Sequence, residues 1–249
     1  MTSQSPTQAA QSDPRSLYRA GAASALLLGV LLLVEPVVYL ASAAPSLADA
    51  AGWFSLFQRN RTLALIDFGI LELYGLVLFV PIYLALFAAL RQAGQASMRI
   101  ATALALVGVA ANFATSKLFS LLTLSDLYAA AGTALQKSQF LAAGQASLAL
   151  GALGGIGGSA EGGIPLAVAG LLISAVMLRS RSLGRAAAYV GLPANGIALV
   201  MYLYAAAAPA PAGSPFFGPF FLLSVAWFFL VARALFRLGG PYVGEHPAA

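Results

Sequence analysis

The sequence predicts an all-α protein, a polytopic membrane helix bundle of about six transmembrane helices with one or two outer interfacial helices. Three observations predict it. Of 249 residues, 60% are hydrophobic and only 8% charged, with a mean hydropathy of +0.87; a soluble domain carries about 25% charged residues. The apolar residues fall into six continuous runs, each near the ~20 residues that cross a ~30 Å hydrocarbon core. None of the runs shows the alternation over about ten residues that marks a membrane barrel strand.

The elements follow in order. Residues 1–14, rich in Ser, Gln and Thr, read as a disordered cytoplasmic tail. Residues 15–239 form the six-helix transmembrane domain, and residues 240–249 a second cytoplasmic tail. The expected spans are Gly21–Ala41, Thr62–Leu90, Ile100–Leu122, Gly162–Leu178, Arg185–Ala206 and Phe216–Leu238. Pro36, Pro81 and Pro193 lie within runs and are expected to kink their helices rather than end them. The start also fits a cleaved signal peptide, with Arg15 and Arg19, an apolar run and Ala41-Ser42-Ala43. That run, however, exceeds the ~7–15 residue core of such a peptide and contains Glu35-Pro36, so a retained helix is expected.

Between spans one and two, Ser46 and Asp49 are spaced as a capping box. Trp53, Leu56 and Phe57 follow on one face, which predicts a short helix at the membrane surface. Residues 125–150, with Leu135, Leu141 and Leu148 at helical spacing, predict a second outer helix. It runs into the glycine-rich stretch Gly151–Gly163, which is expected to be a break.

Orientation follows from the basic residues. One side carries Arg15, Arg19, Arg91, Arg99, Arg179, Arg181, Arg185, Arg233 and Arg237, and the other only Arg59, Arg61 and Lys137. The basic side should be cytoplasmic, and an even number of spans puts both termini there. The net charge of +5 and isoelectric point near 9.7 therefore do not indicate nucleic acid, because the basic residues are scattered singles at the ends of apolar runs. The partner they imply is the lipid bilayer.

Four short segments carry a family resemblance. They are Tyr18-Arg19-Ala20-Gly21, Asp126-Leu127-Tyr128-Ala129-Ala130-Ala131, Leu183-Gly184-Arg185 with Gly191, and Leu235-Phe236-Arg237-Leu238-Gly239. Together they resemble the bacterial six-span membrane family known as domain of unknown function 4386, over roughly Arg15 to Gly239. The resemblance implies a six-helix protein of the bacterial inner membrane. It brings no activity and no catalytic residues.

Several chemistries lack their residues. The chain has no Cys, and its single His, His246, lies in the C-terminal tail, so a Ser–His dyad, a thiolate nucleophile, haem or a Cys/His zinc site has nothing to build on. Gly155-x-Gly157-x-x-Ala160 superficially fits a dinucleotide fingerprint, but no strand precedes it and no acidic residue follows at the required distance. Gly158 and Gly162 instead form a G-x-x-x-G, which suits close helix packing. Asp67 and Glu72 are about 140° apart around one helix, too far to act as a catalytic pair. No cofactor and no enzymatic activity are expected.

What remains is charge inside spans. Glu35, Asp67, Glu72 and Lys117 each cost up to ~2.5–3.5 kcal/mol at mid-bilayer. At ~1.5 Å per residue, Glu35, Asp67 and Lys117 should share the outer third of the membrane, with Glu72 nearer the middle. Lys117 is expected to pair with Asp67, Glu35 or both, the alternative being that it snorkels to the membrane surface. Asn112 and Asn195 extend the polar stripe inward, and Tyr74 shares the face of Asp67. These seven residues are expected to line an outward-facing pocket for a small solute or lipid among spans one, two, three and five. The alternative is a transporter or channel subunit that uses the carboxylates for proton or cation coupling.

Overall fold

The computed structural model describes residues 14–42, 44–46, 48–151, 160–180, 183–207 and 217–240. Among them the chain is helical with no strand, in nine helices. These are α1 (Pro14–Ser42), α2 (Ala50–Arg59), α3 (Arg61–Asp67), α4 (Ile70–Thr115), α5 (Leu118–Ala130), α6 (Ala134–Gly151), α7 (Ala160–Arg179), α8 (Arg185–Ala207) and α9 (Phe217–Gly239). Most of both tails, Arg181, His246, Phe216 and residues 152–159 of the glycine-rich stretch lie outside the described residues.

Five helical stretches are long and apolar enough to cross a membrane, and one of them, Ile70–Ala130, has 61 residues. That stretch does not run straight. Glu72 and Asn112 stand forty positions apart, roughly 60 Å on a straight helix, yet they line the same cavity. The reversal is at Gly94, where the backbone leaves helical geometry (φ −174°, ψ 70°). α4 is therefore two antiparallel arms, 70–93 and 95–115, and the fold makes six passes. The loop expected between Leu90 and Ile100 is replaced by this single-residue reversal.

The passes form a closed ring. The first arm of α4 packs on α1, α1 on α9, α9 on α8, α8 on α7, and α7 on the second arm of α4. Lipid gives apolar side chains no reason to prefer one another, so helices hold together where small residues let backbones approach. The core follows that rule: Ala22, Ala25, Ala85, Ala101, Ala105, Ala169 and Ala188 are all fully buried. A Cβ on Gly108 would lie 2.7 Å from the Gly162 carbonyl oxygen and 2.8 Å from Leu166, and one on Gly21 would lie 3.0 Å from the Pro81 carbonyl. The ring closes at its basic end, where Arg19 Nε donates to the Gly239 carbonyl at 2.8 Å. Pro36, Pro81 and Pro193 sit inside α1, α4 and α8 without ending them.

At the other end lies a cap of α2, α3, α5 and α6 with its own small core of Trp53, Phe54, Leu56, Phe57 and Leu121. Trp53 packs edge-on against Phe68 at 4.9 Å, and its indole N–H donates to the Ser46 carbonyl at 3.1 Å. The cap residue of α2 is Asp49, whose carboxylate accepts from Gly52 N at 2.8 Å. Ser46 contributes its backbone carbonyl instead of capping with its side chain.

Four expectations about boundaries are corrected. The second span does not begin at Thr62: Asn60 caps a separate helix α3, and Gly69, at φ +104°, turns the chain before Ile70. The third span does not reach Leu122, because Ser116 turns extended (ψ 129°) and α5 starts afresh. Residues 125–150 are not one helix but the end of α5 followed by α6. Gly162 and Gly163, expected in a break, lie in the first turn of α7 and are buried there. Gly162 leaves room for the Asn112 amide and Gly163 for the Tyr202 ring.

Candidate functional site

The ring of passes encloses a cavity of about 170 Å³ in the half of the bundle away from the Arg19–Gly239 contact. All six passes contribute to its wall. Most of that wall is carbon: leucines from α1 and α4, Phe79 from α4, and Phe220, Phe221, Trp227 and Phe228 from α9.

Four of the seven residues singled out from the sequence meet on this wall: Glu35, Glu72, Asn112 and Asn195. Glu35 lies on α1, one residue before Pro36, and is half-buried. Glu72 stands in the first turn of α4, where a carboxylate complements the helix N-terminus. It is accessible from the cavity side. Both carboxylates line the same cavity. Neither has a hydrogen bond or ion pair to any described residue.

The two asparagines are held in place by the helices that carry them. Asn112 Nδ2 donates to the Gly108 carbonyl at 3.0 Å, and Asn195 Nδ2 donates to the Gly191 carbonyl at 2.8 Å. A backbone carbonyl only accepts, so the nitrogen of each amide must face it. No described group donates to either amide oxygen. Glycines on α7 make room for both side chains: Cβ atoms on Gly162 or Gly170 would collide with Asn112 and Asn195 respectively.

The remaining three residues stand elsewhere. Asp67 ends α3, before the turn at Gly69, and both carboxylate oxygens are shielded from solvent without a partner. Lys117 is the N-cap residue of α5, half-buried, and not on the cavity. Among the described residues no ion pair joins Lys117 to Asp67 or Glu35, so the expected pairing is not formed. The cause is the two chain breaks: Gly69 and Ser116 turn Asp67 and Lys117 out of the spans in which equal depth would have brought them together. Tyr74 is 60% exposed on the outside of α4, and so does not line the cavity either.

The sequence did not reveal the contribution of α9. Its rings are apolar residues in an apolar run, and only the packing shows which of them face inward. Trp227 is 3% exposed, and its indole N–H has no hydrogen-bond partner. It reaches α8 at Gly191, where a Cβ would come within 2.5 Å of the indole nitrogen. Ser174 of α7, also buried and unpartnered, meets the same glycine. Ser224, Tyr83 and Tyr202 add hydroxyls to the polar part of the wall.

Chemically the site offers two carboxyls and two amide oxygens in a mostly apolar chamber. Among the described residues no group of three His, Cys, Asp or Glu side chains gathers to hold a metal. No protein-family model matches the chain, and no curated protein or solved structure shows significant similarity to it. What the fold and its five long apolar stretches do establish is the class: an all-α, multi-pass membrane helix bundle.

Proposed function

We propose that this chain is a non-catalytic protein of a bacterial inner membrane that holds a small solute or lipid-like molecule in the cavity between its six passes. The observation that carries the reading is the convergence of Glu35, Glu72, Asn112 and Asn195, from three different helices, on one otherwise apolar cavity. Polar side chains at membrane depth are costly and gather where they serve a purpose. The likeness to the six-span family named above fits the same architecture. The outward opening and the cytoplasmic termini follow from the basic residues at the opposite end of the ring.

Two experiments test this. Protein purified in lipid nanodiscs should carry a recurrent small molecule detectable by mass spectrometry, and Glu72→Gln with Asn195→Leu should lose it. No enrichment over empty nanodiscs would defeat the binding role. Reporter fusions after Gln95, Ser182 and Glu245 should read cytoplasmic, and those after Pro45, Phe140 and Ala212 external. An N-terminal tag should survive on the mature protein; a chain starting near Ala44 would leave five passes and open the ring.

A second reading has its own support. Two like-charged groups on one low-dielectric cavity repel unless a proton or cation lies between them, which is the arrangement a coupled transporter needs. Proton-dependent uptake into proteoliposomes, lost in Glu35→Gln, favours transport; its absence leaves binding alone.

A further inference from the structure

The cavity holds acidic side chains and no basic ones, alongside the hydroxyls of Tyr83, Tyr202 and Ser224, which can donate or accept. Glu35 and Glu72 present carboxyls with no partner among the described residues, and the amides of Asn112 and Asn195 already spend their nitrogens on the Gly108 and Gly191 carbonyls. What these four side chains have left to offer is mainly acceptor oxygen. No Lys, Arg or His lines the cavity to neutralise it.

Much of the rest of the wall is aromatic. Phe79, Phe220, Phe221, Trp227 and Phe228 surround the same space, and the faces of aromatic rings attract cations while accepting apolar groups. A bare divalent cation suits the site poorly, because it needs about six or more oxygen ligands and this lining is mostly carbon.

We infer that the ligand of this cavity is a lipophilic organic cation, an amine or quaternary ammonium whose charged head lies between Glu35 and Glu72 and whose apolar body rests among the rings of α9. The inference rests on the binding role proposed above and names the ligand class for it. An anionic or purely apolar ligand would leave the carboxyls unmatched.

The test compares two molecules of the same shape. Benzyltrimethylammonium carries the charge, and neopentylbenzene replaces its nitrogen with carbon. Binding to the full-length protein in detergent is read by tryptophan fluorescence, since Trp227 is one of only two tryptophans in the chain, and by thermal shift. The cation should bind at least tenfold more tightly than the neutral isostere. Glu35→Gln and Glu72→Gln should each weaken the cation at least tenfold and leave the isostere unchanged, which also reports that the variant is folded. Equal affinity for the two molecules, or cation binding indifferent to both variants, overturns the ligand class while the binding role stands. Failure of both molecules to bind wild type overturns the class and the binding role together. Where a Gln variant does not fold, the wild-type ratio of the two affinities decides the question.

Discussion

The ring of passes and the cap are fastened in different ways. The cap buries large rings, Trp53, Phe54 and Phe57, and fastens its helices with side-chain hydrogen bonds. Gln58 donates to both the carbonyl and the hydroxyl of Ser125 at 3.0 Å, and Gln145 holds the start of α2 by donating to Ala48 O at 2.7 Å and accepting from Ala50 N. The ring also buries large side chains, among them Tyr83, Leu86, Met98 and Trp227, but its helices meet most closely at alanines and glycines, with few hydrogen bonds between them. In water, apolar area drives association. In lipid that drive is absent, and close backbone contact takes its place. The chain passes between the two regions at Gly69 and Ser116.

The largest effect should come from the cap's centre. Trp53→Ala removes a fully buried ring and should cost about 3–5 kcal/mol. If the two cores are separate, hydrogen exchange will accelerate in α2, α3 and α5 and stay slow in α7 and α8. Equal acceleration in both would show a single cooperative unit and break the comparison.

In the ring, adding one carbon should matter where it hardly ever does in a soluble helix. Gly170→Ala and Gly191→Ala should each cost about 1–3 kcal/mol by overpacking, because Asn195 fills the space at the first and Ser174 with Trp227 the space at the second. Gly196→Ala, on the same helix as Gly191 with nothing within 4 Å, should be neutral or stabilising. Thermal melting in detergent distinguishes the two classes, and equal effects at all three sites would remove close packing as the ring's principle.

Smaller effects sharpen the picture of the cap. Asp49→Ala deletes the N-cap of α2 and should cost about 1 kcal/mol, seen as faster exchange at Gly52. Smallest of all, Arg61→Ala breaks an exposed 3.1 Å pair with Asp126 and should cost no more than about 1 kcal/mol, less at high salt.

How much of this was legible beforehand depends on what hydropathy registers. The six passes were readable because a continuous apolar run of that length suits a bilayer and little else. The breaks at Gly69 and Ser116 were not, since a turn inside an apolar run changes backbone angles without changing composition. That blindness misplaced Asp67 and Lys117 and produced a pairing that does not form. The break between Leu90 and Ile100 was readable, because residues 91–99 are largely polar; only its confinement to Gly94 was not. Glu35, Glu72, Asn112 and Asn195 were readable as candidates because a polar side chain inside a span is conspicuous, and the packing brings them to one cavity. Phe220, Phe221 and Trp227 were not, because an apolar residue in a lipid-spanning helix carries no mark of the face on which it lies.

The bond from Arg19 to the Gly239 carbonyl spans 220 positions of the chain, and that separation sets a timetable. A ribosome adding about 5–20 residues per second needs roughly ten to forty seconds between making one partner and making the other. Throughout that interval α1 stands in the bilayer without the helix it packs on most closely, and Glu35 has no finished chamber to occupy. A newly made chain thus passes through a period in which its first helix must be sheltered by the insertion machinery or wait at the edge of the lipid. Assembly ends only when the last helix arrives to lock the first.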